Sequence, residues 1–257
     1  MKALIVNDDG IDSPGLASLA RVAVDAGLDV SVAAPHLEHS GASASLSALQ
    51  EDGTLSMSRR TFPDLPELEV FSVECSPALI SFLAAEGVFG RPPDIVLSGI
   101  NLGPNTGHAI LHSGTVGAAL TAASHGARAV ALSLNGTAPS LWDTAESVAS
   151  RAVRWAAVHA PPGQVLNVNI PDISLTELRG LRTAPLAEFG AVQAEIGEME
   201  EDGLETRSVP VTFRSVVIDE TRESDAALLH HGWATATMLT MPFEVSGIDL
   251  SALTFST

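Results

Sequence analysis

The chain has 257 residues, long enough for one sizeable α/β domain with an appendage or for two small domains. Its 13 basic residues stand against 31 acidic ones, a net charge of −18 that repels polyphosphate backbones and argues against nucleic acid as a partner. The single cysteine, Cys75, excludes an internal disulfide framework, and no apolar run reaches membrane-spanning length, so the expectation is a cytoplasmic chain with no membrane partner.

Lys2 to Val6 is a short apolar run of the kind buried on both faces of a parallel sheet. It stops at Asn7-Asp8-Asp9-Gly10. Two adjacent carboxylates and a glycine after a central strand lie where open α/β sheets place their ligands, which makes this a candidate site. An Asp-Asp-Gly turn with a helix-capping carboxylate is the plainer alternative. Ser13-Pro14 supplies an N-cap and a first-turn proline for a helix whose stripe is Leu16, Leu19, Ala20 and Ala23. Leu28 to Ala34 is a second strand, completing a right-handed βαβ unit. His36 to Leu46 is small and polar, a loop able to wrap a ligand with Gly41 and the hydroxyls of Ser40, Ser43 and Ser45. A β-hairpin around Asp52-Gly53 is expected between Leu46 and Pro66, then a strand from Leu68 to Val73 and a helix opened by Ser76-Pro77 and ending near Glu86.

Asp94 to Ser98 is another buried strand, and it runs into the glycine-rich segment Gly99 to Gly117. Glycines there let backbone N–H groups approach an anion, and Ser113-Gly114-Thr115 opens a helix whose N-terminus favours negative charge. Plain helix capping uses the same residues. The spacing matches neither a Walker loop nor a dinucleotide fingerprint. The helix from Thr115 to Ser124 is followed by a strand from Ala129 to Leu134. A long helix from Ser140 to Ala160 is entered through a Ser140–Asp143 capping box, and a strand from Val165 to Ile170 completes the parallel set. Beyond about Pro185 the acidic stretch 187–205 reads as a solvated hairpin or loop. Ser208 to Asp219 and Trp233 to Met241 read as strands, and Ser224 to His231 as a short helix. The fold class is therefore α/β with a mainly parallel sheet, divided into a core at 1–185 and a C-terminal extension at 186–257.

Asn7-Asp8-Asp9-Gly10 with Pro14-Gly15, Ser40-Gly41-Ala42-Ser43, Ser98-Gly99-Ile100-Asn101 with Gly103, Asn105 and Gly107, Ser113 through Ala119, and Asn167 through Pro171 together resemble the SurE (survival protein E) nucleotidases. The resemblance implies a Rossmann-like three-layer core, one divalent metal ion per subunit, Mg²⁺ or Mn²⁺, and hydrolysis of nucleoside 5′- and 3′-monophosphates. It also implies a homodimer or homotetramer with swapped C-terminal segments. It maps the metal ligands onto Asp8, Asp9, Ser40 and Asn101, and the phosphate neighbourhood onto Gly41, Asn105, Ser113, Gly114 and Thr115. Of these, Asp8, Asp9, Asn105 and Ser113 form the candidate catalytic set. The departures are His108-Ala109 in place of aspartates and His112 in place of tyrosine.

Two carboxylates with a hydroxyl and an amide oxygen suit Mg²⁺ or Mn²⁺ and suit Zn²⁺ poorly. His108 and His112 are candidates to bind substrate and to donate a proton to the leaving alkoxide, since imidazole titrates near neutrality; a loop histidine is also an ordinary polar surface residue. Two functions stay open, a metal-dependent phosphomonoesterase and a nucleotide-binding regulatory module of the same fold. Covalent aspartyl-phosphate chemistry fits less well, because Asp8-Asp9 lacks the alternating spacing that presents two carboxylates on one side of a strand end.

Overall fold

In the computed structural model, residues 1–48, 54–136, 141–188, 192–196, 200–202, 206–208, 211–215 and 223–241 are described. The apolar run Lys2–Val6 is strand β1, followed by α1 (Pro14–Asp25), β2 (Asp29–Pro35), β3 (Met57–Phe62), β4 (Leu65–Val73) and α2 (Pro77–Ala85). Next come β5 (Ile95–Leu102), a short 3₁₀ helix Gly107–His112, α3 (Gly114–Ser124), β6 (Arg128–Asn135), α4 (Trp142–His159) and β7 (Gln164–Pro171). The chain continues with β8 (Leu181–Thr183), β9 (Val192–Ile196), β10 (Glu200–Asp202), β11 (Thr206–Ser208), β12 (Val211–Ser215), α5 (Asp225–His230) and β13 (Ala234–Thr240).

Nine strands form one sheet in the order β3-β4-β2-β1-β5-β6-β7-β13-β8. The six strands from β4 to β7 are mutually parallel; α-helices make four of the crossovers between them, and the β2-to-β4 connection runs through the 36–48 loop and β3. From β1 the chain winds outward through β2 to β4; it then re-enters on the other side of β1 with β5 and winds away through β6 and β7. Strand order therefore reverses between β1 and β5, the place where parallel α/β sheets open a crevice at their carboxyl ends. Asp8-Asp9 follow β1 and Asn101 ends β5, so both flank that crevice.

Helices cover both faces. On one, Leu16 and Leu19 of α1 and Ala145, Ala149 and Val153 of α4 pack with Ile5, Leu97, Leu132 and Val168 of the sheet. On the other, Ile80 of α2 and Ala118 and Ala122 of α3 pack with Leu4, Val6 and Val96. Each fully buried Leu or Ile contributes about 1.5–3 kcal/mol, and alternate β1 residues feed the two cores. Cys75 belongs to the second core, and burial pushes its thiol up to about 12, so it behaves as a small hydrophobe. No helix among the described residues is long and apolar enough to cross a membrane.

Several local expectations are corrected. The hairpin pairs β3 with β4 and turns at Pro63-Asp64, where proline presets the first corner; Asp52-Gly53 lies outside the described residues. Strand β5 continues past Ser98 to Leu102, with a register irregularity between Ser98 and Asn101, so the glycine-rich segment starts as strand. Ser13 and Ser76 stand at N-cap positions but neither hydroxyl caps its helix. Ser76 instead donates to the Ser45 carbonyl and accepts from Ser47 N–H, tying the 36–48 loop to α2. The α4 N-cap is Leu141, without a side-chain cap, and Ser140 lies outside the described residues. The short strand β8 has no counterpart in the sequence reading, and β13 pairs antiparallel with β7 and parallel with β8. Of the strands in the acidic stretch, β9 pairs with β12 and β10 with β11, both partners lying beyond it and both pairings antiparallel.

Candidate active site

Asp8 and Asp9 are carried into the crevice by β1, and the start of α3 meets them there. Asp8 is buried; its Oδ2 accepts from Thr115 N–H at 3.1 Å and its Oδ1 accepts from the Thr115 hydroxyl. The carboxylate thus sits on the N-terminal turn of α3, where the helix dipole favours negative charge. Gly114 is the residue that permits this contact, because a Cβ on it would lie 2.7 Å from Asp8 Oδ2 and 2.8 Å from Asp8 Cβ. The Asp8 carbonyl accepts from His39 N–H at 2.7 Å, which draws the 36–46 loop over the site.

Burial holds the Asp8 carboxyl above its ordinary range, opposed by the two Thr115 donors. Asp9 is pushed up to about 7, first by burial and then by the Asp8 charge, with Glu38 adding to both and Leu102 N–H, 3.1 Å from Asp9 Oδ2, working the other way. The groups that lower these two carboxyls are hydroxyl and backbone donors rather than cations. Desolvated neighbouring carboxylates of this kind fit a hard dication, which supplies the missing positive charge. Among the described residues no group of three or more His, Cys, Asp or Glu could hold a metal, so any ligand set must be completed by neutral oxygens and by water or substrate.

Asn101 is at the end of β5; its Nδ2 donates to the Gly103 carbonyl at 2.8 Å, leaving Oδ1 as the acceptor. Ser40 is exposed and its hydroxyl donates to Glu38 at 2.6 Å. Gly41, beside it, is exposed with φ +79°. Asn105 is buried and immobilised: its N–H donates to Asn169 Oδ1 at 2.7 Å, its Nδ2 to Ser133 Oγ at 2.8 Å, and its carbonyl accepts from Asn167 and Asn169, both at 2.9 Å. Ser113 caps α3, its Oγ accepting from Val116 N–H at 3.0 Å, so it does the capping job that its sequence position allowed. Thr115 gives both its donors to Asp8 and acts on the site through that carboxylate. His108 and His112 are exposed on the 3₁₀ helix, next to the loop that Ser43 fastens by donating to the Leu111 carbonyl at 2.7 Å.

Three supports have roles at the site that the sequence reading did not assign. Asn167 and Asn169 alternate on a buried strand, and two amides on one face of an otherwise apolar run are the signal that was there to be read. Glu38 adds negative potential beside the carboxylate pair. Asp225, at the start of α5, is fully buried and accepts from Gly107 N–H at 2.9 Å and from Ala187 and Ala226 N–H at 2.8 Å. It ties the C-terminal segment to the first residue of the 3₁₀ helix that carries the histidines. Asp225→Ala is expected to leave these donors unpaired and lower stability by about 2–4 kcal/mol, read as a fall of several degrees in Tm; an unchanged Tm would refute that role.

The family described as survival protein SurE matches residues 3–191. The 5'/3'-nucleotidase SurE of Cronobacter sakazakii is 39% identical over 184 residues, covering 71% of this chain and 68% of that protein. The 5'-nucleotidase SurE of Pseudomonas putida is 37% identical over 187 residues, covering 72% and 71%. The crystal structure of the SurE protein from Aquifex aeolicus superposes with a TM-score of 0.75 at 26% identity, over 93% of each chain. With the matched stretch spanning β1 through β7 and every element that lines the crevice, the chain belongs to the survival protein SurE family.

Proposed function

We propose that this chain hydrolyses nucleoside 5′- and 3′-monophosphates to nucleoside and inorganic phosphate, with one Mg²⁺ or Mn²⁺ per subunit. The observation that carries this reading is the pair of desolvated adjacent carboxylates at the strand-order reversal, against the N-terminus of α3. The relatives named as nucleotidases support the substrate class. Asp8, Asp9, Asn101 and Ser40 would hold the metal, which when bound neutralises phosphoryl oxygens and acidifies an attacking water.

The protein's own part is positioning. Asp8 is fixed by Thr115, Asn105 is fixed by Asn167, Asn169 and Ser133, and the start of α3, whose Thr115 and Val116 N–H groups are taken by Asp8 and Ser113, offers its dipole to phosphoryl oxygens. Water attacks phosphorus, the ester P–O bond breaks, and the leaving alkoxide takes a proton, for which His108 and His112 are the candidate donors. Association into a homodimer or homotetramer belongs to the same proposal. Its support is an apolar groove of about 690 Å³ between α4, β7 and β13, bordered by Trp155 and Met238, which are 43% and 41% exposed. Light scattering at micromolar concentration reads it.

The deciding experiment is phosphate release from nucleoside monophosphates with Mg²⁺ or Mn²⁺ and with excess chelator. Release that stops in chelator and returns with metal is expected; tight nucleotide binding without release would favour the regulatory alternative. Removing the proton donor is expected to lower kcat on nucleotides by at least about tenfold, yet to spare p-nitrophenyl phosphate, whose leaving group needs no proton. Equal losses on both substrates in His108→Ala and in His112→Ala would remove the histidines from this step.

A further inference from the structure

Glu38 lies in the loop that follows β2, and its carboxylate accepts from the Ser40 hydroxyl at 2.6 Å. We propose that Glu38 is a positioning residue for the cation: it takes the one proton Ser40 can donate, so that the hydroxyl has only the electron pairs of its oxygen left to offer. This rests on the metal-dependent reading above. A hydroxyl carries one donor and two lone pairs. With the proton committed to a carboxylate, the oxygen serves a cation without its own O–H turning toward the positive charge, and the carboxylate makes that oxygen a better ligand.

Contacts between residues two apart are ordinary in a turn; two observations bring this one to the site. His39, which stands between Glu38 and Ser40, donates its N–H to the Asp8 carbonyl at 2.7 Å, and Ala42 N–H returns to the His39 carbonyl at 3.1 Å. The loop is thus bolted to the backbone of the carboxylate pair and turns there, with Glu38 and Ser40 on either side of the bolt. Glu38 also lines the same cavity as Asp9 and Asp12. Asp12 has a partner of its own, Arg60 at 3.3 Å, whereas no Lys or Arg among the described residues forms an ion pair with Glu38. Among the described residues Asp8, Asp9 and Glu38 do not close into a three-carboxylate cage. That leaves Glu38 the outer role, to orient a neutral ligand rather than to be one.

The test is the Mn²⁺ affinity of the protein without substrate, read by titration calorimetry or by the electron paramagnetic resonance of free Mn²⁺. Glu38→Ala is expected to weaken binding by roughly tenfold to a hundredfold, and Glu38→Gln, which keeps a neutral acceptor, by less. Asp12→Asn removes an exposed carboxylate at the same cavity and controls for charge alone; it should cost less than about threefold at moderate salt. Placed on Ser40→Ala, Glu38→Ala should cost no more than that control, since the hydroxyl it acts through is gone. An equal loss in both backgrounds would make Glu38 a charge and nothing more, which overturns the positioning role. The metal-free Tm should stay at the wild-type value, because Glu38 is exposed; a fall in Tm that matches the loss of affinity would assign the residue to the fold and overturns the role too. A wild type that binds Mn²⁺ and is indifferent to Glu38→Ala sinks this proposal alone, and a wild type that binds no Mn²⁺ sinks it together with the metal-dependent reading.

Discussion

Asp8→Asn and Asp9→Asn are each expected to lower phosphate release about a thousandfold, since losing a charged ligand removes several kcal/mol of charge stabilisation from the transition state. The fold should survive, and for Asp9→Asn the metal-free protein should become more stable at pH 8. The sign follows from the direction of the shift. The Asp9 carboxyl lies near 7 in the folded chain against 3.8 for the free side chain, so the proton stabilises the native state. That stabilisation is complete below about pH 4 and is lost as pH rises through about 7, an effect on the order of 4 kcal/mol. Between pH 5 and pH 8 the metal-free wild type should therefore lose thermal stability that Asp9→Asn retains. Mg²⁺, binding the ionised pair, should restore the wild type at pH 8 and leave Asp9→Asn unaffected. Undiminished turnover in either variant, or identical pH profiles of Tm in wild type and Asp9→Asn, would contradict the assignment.

Gly114→Ala is the second substitution with a large expected effect. The added Cβ would meet Asp8 Oδ2 at 2.7 Å and Asp8 Cβ at 2.8 Å, and because the second atom is next to the backbone of a central strand end, rotating the carboxylate away does not relieve it. Overpacking of this kind destabilises by about 1–3 kcal/mol. The larger consequence is kinetic: pushing α3 off Asp8 breaks both Thr115 bonds, and a misplacement of about 1 Å in a catalytic constellation costs about a hundredfold in rate. Normal activity and Tm in Gly114→Ala would show that the close approach of α3 is dispensable.

Local patterns were legible wherever one element's own residues decide its state. The proline-started helices α1 and α2, the buried strands β1, β2, β6 and β7, and the short helix α5 all lie within a residue or two of their sequence signals, because apolar periodicity and Pro-Ser punctuation act over a few residues. The β3–β4 hairpin at Pro63-Asp64 was not read from the sequence, because Asp-Gly and Pro-Asp are both good corners and only the pairing of β3 against β4 marks this one. The capping roles of Ser13 and Ser76 failed for a related reason: a hydroxyl serves whichever partner the fold brings nearest, and for Ser76 that was the loop leading to Ser45.

By itself the sequence determined that the chain is an α/β protein of the SurE kind, and it singled out Asp8, Asp9, Asn101 and the Ser113 turn as the candidate site, since these depend on residue identity at strand and helix ends. Tertiary structure decided the rest. It ran the sheet outward in both directions from β1 and β5, so that the end of β5 and the start of α3 converge on the acidic loop although about ninety or more residues separate them from Asp8. It gave Thr115 to Asp8, built the Asn167–Asn169 cradle under Asn105, and returned Asp225 from the C-terminal segment to hold Gly107. These are long-range pairings of buried polar groups. No local pattern specifies them, because each donor or acceptor must find its partner only after the sheet has set which strand ends lie side by side.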